Sequence, residues 1–129
     1  MSSDKIWLFD TTLRDGGQTR GVDFSRADKI AIANALDNIG VDYIEAGWPG
    51  ANPTDDAFFA KPPKLKNAKL VSFGMTRRGG RSAANDPGLN AVIDADVDAA
   101  CLVGKTWDFH VKKALSTSLD ENLEMISQS

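Results

Sequence analysis

The sequence contains one cysteine, Cys101, among its 129 residues, and this excludes a disulfide within the chain. It has no apolar run that approaches the roughly 18 residues of a membrane span. Residues 1–10 lack the apolar core of a signal peptide. Positive charge is not in excess, because 15 lysines and arginines stand against 18 acidic residues, and this balance disfavours a general nucleic-acid-binding protein. These absences predict a soluble, cytoplasmic domain that binds neither nucleic acid nor a membrane.

Short apolar runs alternate with helical patterns along the whole chain. The runs that predict strands span residues 6–9, 41–44, 69–73 and 97–103. Helical patterns follow them from about residues 25, 54, 86 and 107, with a further helix at 120–126. Thr54 is predicted to cap the second helix, and Asp86 followed by Pro87 the third. This alternation predicts parallel βαβ units.

The first helix carries the clearest signals. Ser25 is predicted to be its N-cap, with Asp28 completing a capping box. Gly40 is predicted to end it in a left-handed conformation. The residues predicted to form its apolar face, at helical spacing, are Ile32, Leu36 and Ile39.

The spacing of the predicted strands indicates the architecture. Successive strands begin roughly 30 residues apart, which matches one unit of a (β/α)8 barrel, and a complete barrel needs about 250 residues. We therefore predict an α/β fold in which residues 1–129 form the N-terminal half of a TIM (β/α)8 barrel, truncated in or after the fourth βα unit. A four-stranded flavodoxin-like sheet is the alternative.

Charged residues follow the first two predicted strands. In a parallel α/β protein, active groups lie beyond the carboxyl ends of the strands. Arg14 and Asp15 follow the first strand, and Glu45 ends the second. A guanidinium beside a carboxylate places an oxyanion stabiliser next to a possible metal ligand, and Glu45 can pair with Arg14. The alternative is a structural Arg–Glu ion pair, with Asp15 capping a turn.

A basic loop follows the third predicted strand. Arg77 and Arg78 lie where the catalytic face of a barrel would be, so they are candidates for binding a carboxylate or a phosphate group of a substrate. The alternative is that residues 61–81, which hold seven basic groups and no acidic one, form a solvated helix and loop.

The residues at these strand ends carry a family resemblance. The segment Asp10-Thr-Thr-Leu-Arg-Asp-Gly-Gly-Gln18 resembles the opening motif of the 2-isopropylmalate, homocitrate and citramalate synthases, which are (β/α)8 barrels of the DRE-TIM metallolyase superfamily. Residues 43–53, 74–78 and 104–110 resemble the citramalate-synthase branch. The resemblance therefore covers essentially the whole chain.

This resemblance implies a Claisen-type condensation of acetyl-CoA with a 2-oxo acid in amino-acid biosynthesis. It implies that Asp15 is a ligand of a divalent metal ion (Mg, Mn or Zn) and that Arg14 stabilises enolate charge. It further implies that Glu45 orients Arg14 and that Gln18 forms hydrogen bonds within the site. A metal ion in such an enzyme acts as a Lewis acid on the keto carbonyl.

The sequence departs from the family pattern in its histidines. The family completes its metal site with a His-x-His pair late in the barrel, whereas this chain has one histidine, His110. We therefore expect the isolated chain to be inactive, to be part of a longer enzyme, and to form a homo-oligomer or bind the remainder of the barrel. The alternatives are a non-catalytic half-barrel assembly module and a fragment of a biotin-dependent carboxyltransferase barrel.

Overall fold

Four parallel strands lie side by side in chain order. The computed structural model describes residues 4–129 and gives one sheet with the order β1-β2-β3-β4. Its strands are β1 (Phe9–Asp10), β2 (Tyr43–Gly47), β3 (Lys69–Met75) and β4 (Ala99–Val103). This sequential order is that of successive barrel units. It excludes the flavodoxin-like alternative, in which the second strand lies outside the first.

Five helices accompany the sheet in the described part of the chain. They are α1 (Arg26–Asn38), α2 (Pro53–Ala60), α3 (Pro87–Asp94), α4 (Asp108–Ala114) and α5 (Leu119–Gln128). Short 3-10 turns span Gly16–Gln18 and Ala83–Asn85. No helix in residues 4–129 is long and apolar enough to cross a membrane.

Both ends of α1 agree with the sequence. The Ser25 side chain accepts a hydrogen bond from the Asp28 backbone, and the Asp28 carboxylate accepts one from the Ser25 backbone, so the predicted capping box is confirmed. Gly40 has φ +88°, which confirms the left-handed conformation after the helix.

The buried face of α1 differs from the predicted one. Ile39 is 76% exposed, and Ile32 and Leu36 pack only partly against the core. The fully buried positions are Lys29, Ala33 and Asp37. The two charged residues are tolerated inside because each has hydrogen-bond partners, which a hydropathy pattern does not register.

Further boundaries differ from prediction. β2 was predicted at residues 41–44 and spans Tyr43–Gly47, so Glu45 lies inside the strand and not at its end, and β4 begins at Ala99 and not at residue 97. The N-cap of α2 is Asn52, whose side chain accepts from the Asp55 backbone, and Thr54 lies inside the helix. Pro53 at the first helical position accounts for this, since its fixed φ suits N1 and it has no backbone N–H that would need an acceptor. β1 is confined to Phe9–Asp10, whereas the prediction began it at residue 6. Ile6, Trp7 and Leu8 are exposed because β1 is an edge of the sheet.

Two aspartates join neighbouring strands at their amino ends. Asp42 accepts a hydrogen bond from the Leu8 backbone N–H at 2.8 Å, and Asp98 accepts one from the Leu70 backbone N–H at 2.9 Å. Asp42 directly precedes β2, and Asp98 directly precedes β4. These carboxylates set the register at the end of the sheet opposite to the candidate site.

The apolar core lies between the sheet and the first two helices. Its fully buried members include Leu13, Ala33, Ile44 and Phe58. Because strand side chains alternate, Ile44 and Ala46 face this core while Glu45 faces the other side of the sheet. That other side carries the candidate site.

Asp37 fastens the loop before β3 to the end of α1. Its carboxylate accepts backbone N–H groups from Lys66, Asn67 and Ala68 at 2.7–2.8 Å. These hydrogen bonds, that from Ala68 first, lower the pKa of Asp37 below its ordinary value of 3.8. The ionised carboxylate is therefore the form that the folded chain stabilises.

We expect Asp37→Asn to lower the Tm by several degrees at neutral pH, because the amide presents one acceptor where the carboxylate presents two. Since the folded-state pKa is depressed, the stabilisation is present above the unfolded-state pKa and is lost as pH falls through the folded-state pKa. Thermal melts from neutral to acid pH should show the difference from wild type shrinking. Asp94→Asn, at an exposed position of α3, is the control. A Tm difference that does not depend on pH would contradict the assignment.

Candidate active site

A buried carboxylate and a guanidinium meet at the carboxyl ends of β1 and β2. Arg14 Nε donates to Glu45 Oε2 at 2.7 Å. Glu45 is 1% exposed, and the Arg14 side chain is 19% exposed. A buried carboxylate requires such a partner, and the pairing fixes the direction in which the guanidinium points. The structure therefore brings together the two residues that the sequence singled out.

An aromatic ring supports the guanidinium from β3. The Cζ atom of Arg14 lies 4.2 Å from the ring centroid of Phe73, a cation–π geometry. Trp48, from the loop after β2, meets the same ring edge-on with centroids 5.2 Å apart. Sequence reasoning did not select Phe73. The available signal was alternation along β3, which places Phe73 on the same side of the sheet as Glu45.

Cys101 lies beside this pair on β4. Burial first, and then the negative charge of Glu45 with a hydrogen bond to it, raises the pKa of the Cys101 thiol above its ordinary value. Cys101 is a half-buried free thiol close enough to Glu45 for the carboxylate to affect its ionisation. Its raised pKa disfavours the thiolate that a nucleophile requires.

Asp15 presents its carboxylate to solvent. The side chain is 62% exposed, and Oδ1 accepts from Arg14 Nη1 at 3.2 Å. It makes no capping hydrogen bond to the following 3-10 turn. Asp10 has the local structural role instead, accepting from the backbone and hydroxyl of Thr12 at 2.9 and 3.0 Å. The carboxylate of Asp15 is thus left available for a ligand.

A complete metal centre is not formed by the described residues. In residues 4–129, no group of three or more histidine, cysteine, aspartate and glutamate side chains could hold a metal ion. Catalytic sites for a divalent ion such as zinc use about three protein ligands. Asp15 can supply one ligand, and the residues present do not fit a metal ion on their own.

A cavity of about 240 Å³ lies between the loops that follow β1 and β2. Arg14, Gly17 and Gln18 line it from the first loop, and Trp48 and Asn52 from the second. The structure therefore places Gln18, an exposed residue, in the same cavity as Arg14.

Arg77 and Arg78 line a different cavity, of about 480 Å³, beside the turn between α4 and α5. Arg77 is buried, with Nη1 donating to Glu121 and Nε to Gln128, both at 2.8 Å. Its hydrogen bond lowers the pKa of Glu121. Arg78 is exposed at its side chain and bound through its backbone to Asp86. The structure does not bring these two arginines together with Arg14, and Arg77 belongs to an ion pair that anchors α5.

The sequence matches one family model and several curated proteins. The HMGL-like family model covers residues 5–129. (R)-citramalate synthase from Aquifex aeolicus is 50% identical over 98% of this chain and 24% of that protein. (R)-citramalate synthase from Geobacter sulfurreducens is 52% identical over 96% of this chain and 24% of that protein. A homocitrate synthase from Methanopyrus kandleri is 36% identical, over 98% of this chain and 30% of that protein. The chain thus spans about a quarter of the length of the citramalate synthases it matches.

Solved structures agree in fold. The HMG-CoA lyase of Bacillus subtilis superposes with a TM-score of 0.71 over 98% of this chain and 41% of that chain, at 22% identity. The lyase of Pseudomonas aeruginosa gives the same TM-score at 20% identity. Together with the sequential parallel sheet, this confirms the predicted N-terminal half of a (β/α)8 barrel.

We expect Glu45→Gln to lower the pKa of the Cys101 thiol, since the carboxylate charge and hydrogen bond that raise it are removed while Arg14 remains. Alkylation of Cys101 by iodoacetamide, followed against pH, should then be several-fold faster below the wild-type pKa. Asp15→Asn is the matched control, because it removes the other carboxylate bound to Arg14. Unchanged alkylation in Glu45→Gln would show that Glu45 does not act on the thiol.

Proposed function

The chain belongs to the HMGL-like family, and on this premise we propose that it forms the N-terminal part of an enzyme that condenses acetyl-CoA with a 2-oxo acid, as a citramalate synthase does. The observation that carries the proposal is the Arg14–Glu45 pair at the carboxyl edge of the sheet. In barrel enzymes this edge holds the active site. The identity to citramalate synthases over nearly the whole chain supports the choice of reaction class.

Arg14 has the geometry of a charge-stabilising group. Its Nε is bound to Glu45 and its Nη1 to Asp15, whereas its Nη2 makes no hydrogen bond within residues 4–129. Nη2 can therefore donate to an oxygen that becomes negative when the acetyl-CoA enolate forms. Glu45 acts as the positioning residue, since its buried carboxylate orients the donor before the reaction begins. Such preorganised donors are worth about 100- to 1,000-fold in kcat.

Asp15 is proposed to supply one ligand to a divalent metal ion (Mg, Mn or Zn). Its exposed carboxylate and its lack of a capping hydrogen bond support this role. Further ligands would have to come from outside residues 4–129, because Asp15 belongs to no group of three or more possible metal ligands there.

Two polar residues are proposed to bind the substrates. Gln18 shares the cavity of Arg14 and can form hydrogen bonds with a bound 2-oxo acid. Arg78, with its exposed side chain, can meet a phosphate of coenzyme A. Arg77 would hold the loop that carries Arg78, since its own guanidinium is bound to Glu121 and Gln128.

The proposed enzyme would act in amino-acid biosynthesis, for which we expect a cytoplasmic location. Its immediate partner would be the remainder of the barrel or a second copy of the chain. The exposed Trp7 and Phe9 beside β1 favour this association. The same observation supports a second candidate function, a non-catalytic assembly module, which would associate without binding a metal ion or turning over substrate.

In the complete enzyme that carries this chain, Arg14→Ala should lower kcat and kcat/KM together by about 100-fold or more, because the lost interaction forms only in the transition state. Release of free coenzyme A thiol from acetyl-CoA in the presence of a 2-oxo acid measures turnover. Arg20→Ala, at an exposed position of the same loop, is the control. An unchanged kcat with a raised KM would make Arg14 a substrate-binding residue instead.

Asp15→Asn should weaken the binding of a divalent metal ion to that enzyme and leave the Tm nearly unchanged, because the amide keeps the shape of the side chain and loses its charge. Calorimetric titration with Mg, Mn and Zn ions, together with thermal melts, separates the two effects. Asp10→Ala should do the opposite, since the Asp10 carboxylate is bound to Thr12. A normal metal affinity with a sharply lowered Tm in Asp15→Asn would show that Asp15 has a structural role.

A further inference from the structure

A second ion pair lines the same cavity as Arg14, and the proposed reaction assigns it no role. Lys29 on α1 is 4% exposed, and Asp55 in the first turn of α2 is 6% exposed. Lys29 Nζ donates to Asp55 Oδ1 and, at 2.9 Å, to the carbonyl oxygen of Ala46. Charged groups are rarely buried this deeply, and they remain charged there only when paired and hydrogen-bonded.

The second oxygen of Asp55 holds the loop that follows β2. Oδ2 accepts from the Trp48 backbone N–H at 2.8 Å and from Asn52 Nδ2 at 3.0 Å. Asn52 in turn accepts from the Asp55 backbone N–H at 2.9 Å. One carboxylate thus ties both ends of residues 48–52 to the start of α2, while Lys29 ties that carboxylate to α1 and β2.

Gly47 allows the carboxylate to come this close. A Cβ atom built on Gly47 would lie 2.6 Å from Asp55 Cγ, well inside the closest contact that side-chain atoms make. A side chain there would displace the carboxylate from the loop. The close approach of strand and carboxylate therefore requires glycine at the end of β2.

The loop held by Asp55 carries Trp48, and Trp48 meets the ring that supports Arg14. The rings of Trp48 and Phe73 pack in a T-shaped arrangement with centroids 5.2 Å apart, and the centroid of Phe73 lies 4.2 Å from Arg14 Cζ. We propose that the buried Lys29–Asp55 pair is a positioning element, which sets the place of Trp48 and through Phe73 holds the Arg14 guanidinium against Glu45. The inference deepens the proposed function, and it rests on that function only in treating Arg14 as the group that stabilises the charge of the enolate.

Lys29 and Asp55 also line the cavity that Arg14 and Gln18 line, so the pair borders the site whose loop it holds. Glu45 fixes Arg14 through Nε, in the plane of the guanidinium, and Phe73 limits motion out of that plane. Loss of Lys29 would leave the Asp55 carboxylate buried without its counter-charge, and such a group is strongly destabilised. Relaxation of Asp55 toward solvent would release the Trp48 N–H and with it the packing on Phe73.

The Nε–H proton of Arg14 reports this positioning directly. The probe is exchange of arginine Nε–H with solvent, measured by NMR on the full 129-residue chain at mildly acidic pH. The internal reference is the Nε–H of Arg77, which is also hydrogen-bonded, at 2.8 Å to Gln128. We expect Lys29→Met and Trp48→Leu each to accelerate exchange at Arg14 by about tenfold, with Arg77 unchanged, since local opening is measured separately from global unfolding.

Trp48→Leu tests the link from the loop to Arg14 by a change at a half-buried side chain, and it can be measured even if Lys29→Met folds poorly. Trp107→Leu, at an exposed tryptophan before α4, is its matched control and should change neither exchange rate. Unchanged exchange at Arg14 in Lys29→Met or in Trp48→Leu would overturn the proposal. Equal acceleration at Arg14 and Arg77 would also overturn it, since that result indicates general loosening. The measurement needs no turnover, so a failure of the condensation assay would contradict the proposed function and leave this result standing.

Discussion

The buried carboxylate of Glu45 is the constraint on which the site depends. Glu45 lies on β2 and is 1% exposed. A carboxylate buried this deeply is stable only beside a cation, and Arg14 is the cation that reaches it. Arg14 lies in the loop after β1, so this single requirement draws that loop over the end of β2. The orientation of Asp15, bound to the same guanidinium, then follows from the position of Arg14.

The carboxyl edge of the sheet is held by separate charged clusters. Arg14 and Glu45 connect β1 and β2, whereas Arg77 and Glu121 connect the loop after β3 to α5. Each cluster ties one loop at this edge to a neighbouring element. A rigid scaffold with ordered loops at this edge is the arrangement that barrel enzymes use to place reacting groups.

Local signals in the sequence predicted the elements well and their buried faces less well. Ser25, Asp28 and Gly40 were assigned correctly because a cap depends on residues a few positions apart. The inner face of α1 was wrong at Ile39, because hydropathy does not anticipate that Lys29 and Asp37 can be buried when their partners come from α2 and the loop before β3. Residues 6–8 were assigned to a strand on their apolar character, but a strand also needs a paired neighbour.

The sequence by itself determined the alternation of strands and helices, the ends of α1, and the presence of Arg14 and Asp15 after the first strand and of Glu45 near the end of the second. These features depend on backbone preferences and hydrogen bonds within a few residues, and a family resemblance adds their roles. Only the tertiary structure decided that Phe73 lies under Arg14, that Asp55 holds Trp48, and that Arg77 is bound to Glu121. Phe73 and Glu121 lie far along the chain from the arginines they meet, and the pairing depends on strand register and helix packing. One sequence records which residues are present, whereas burial and register select which of them meet.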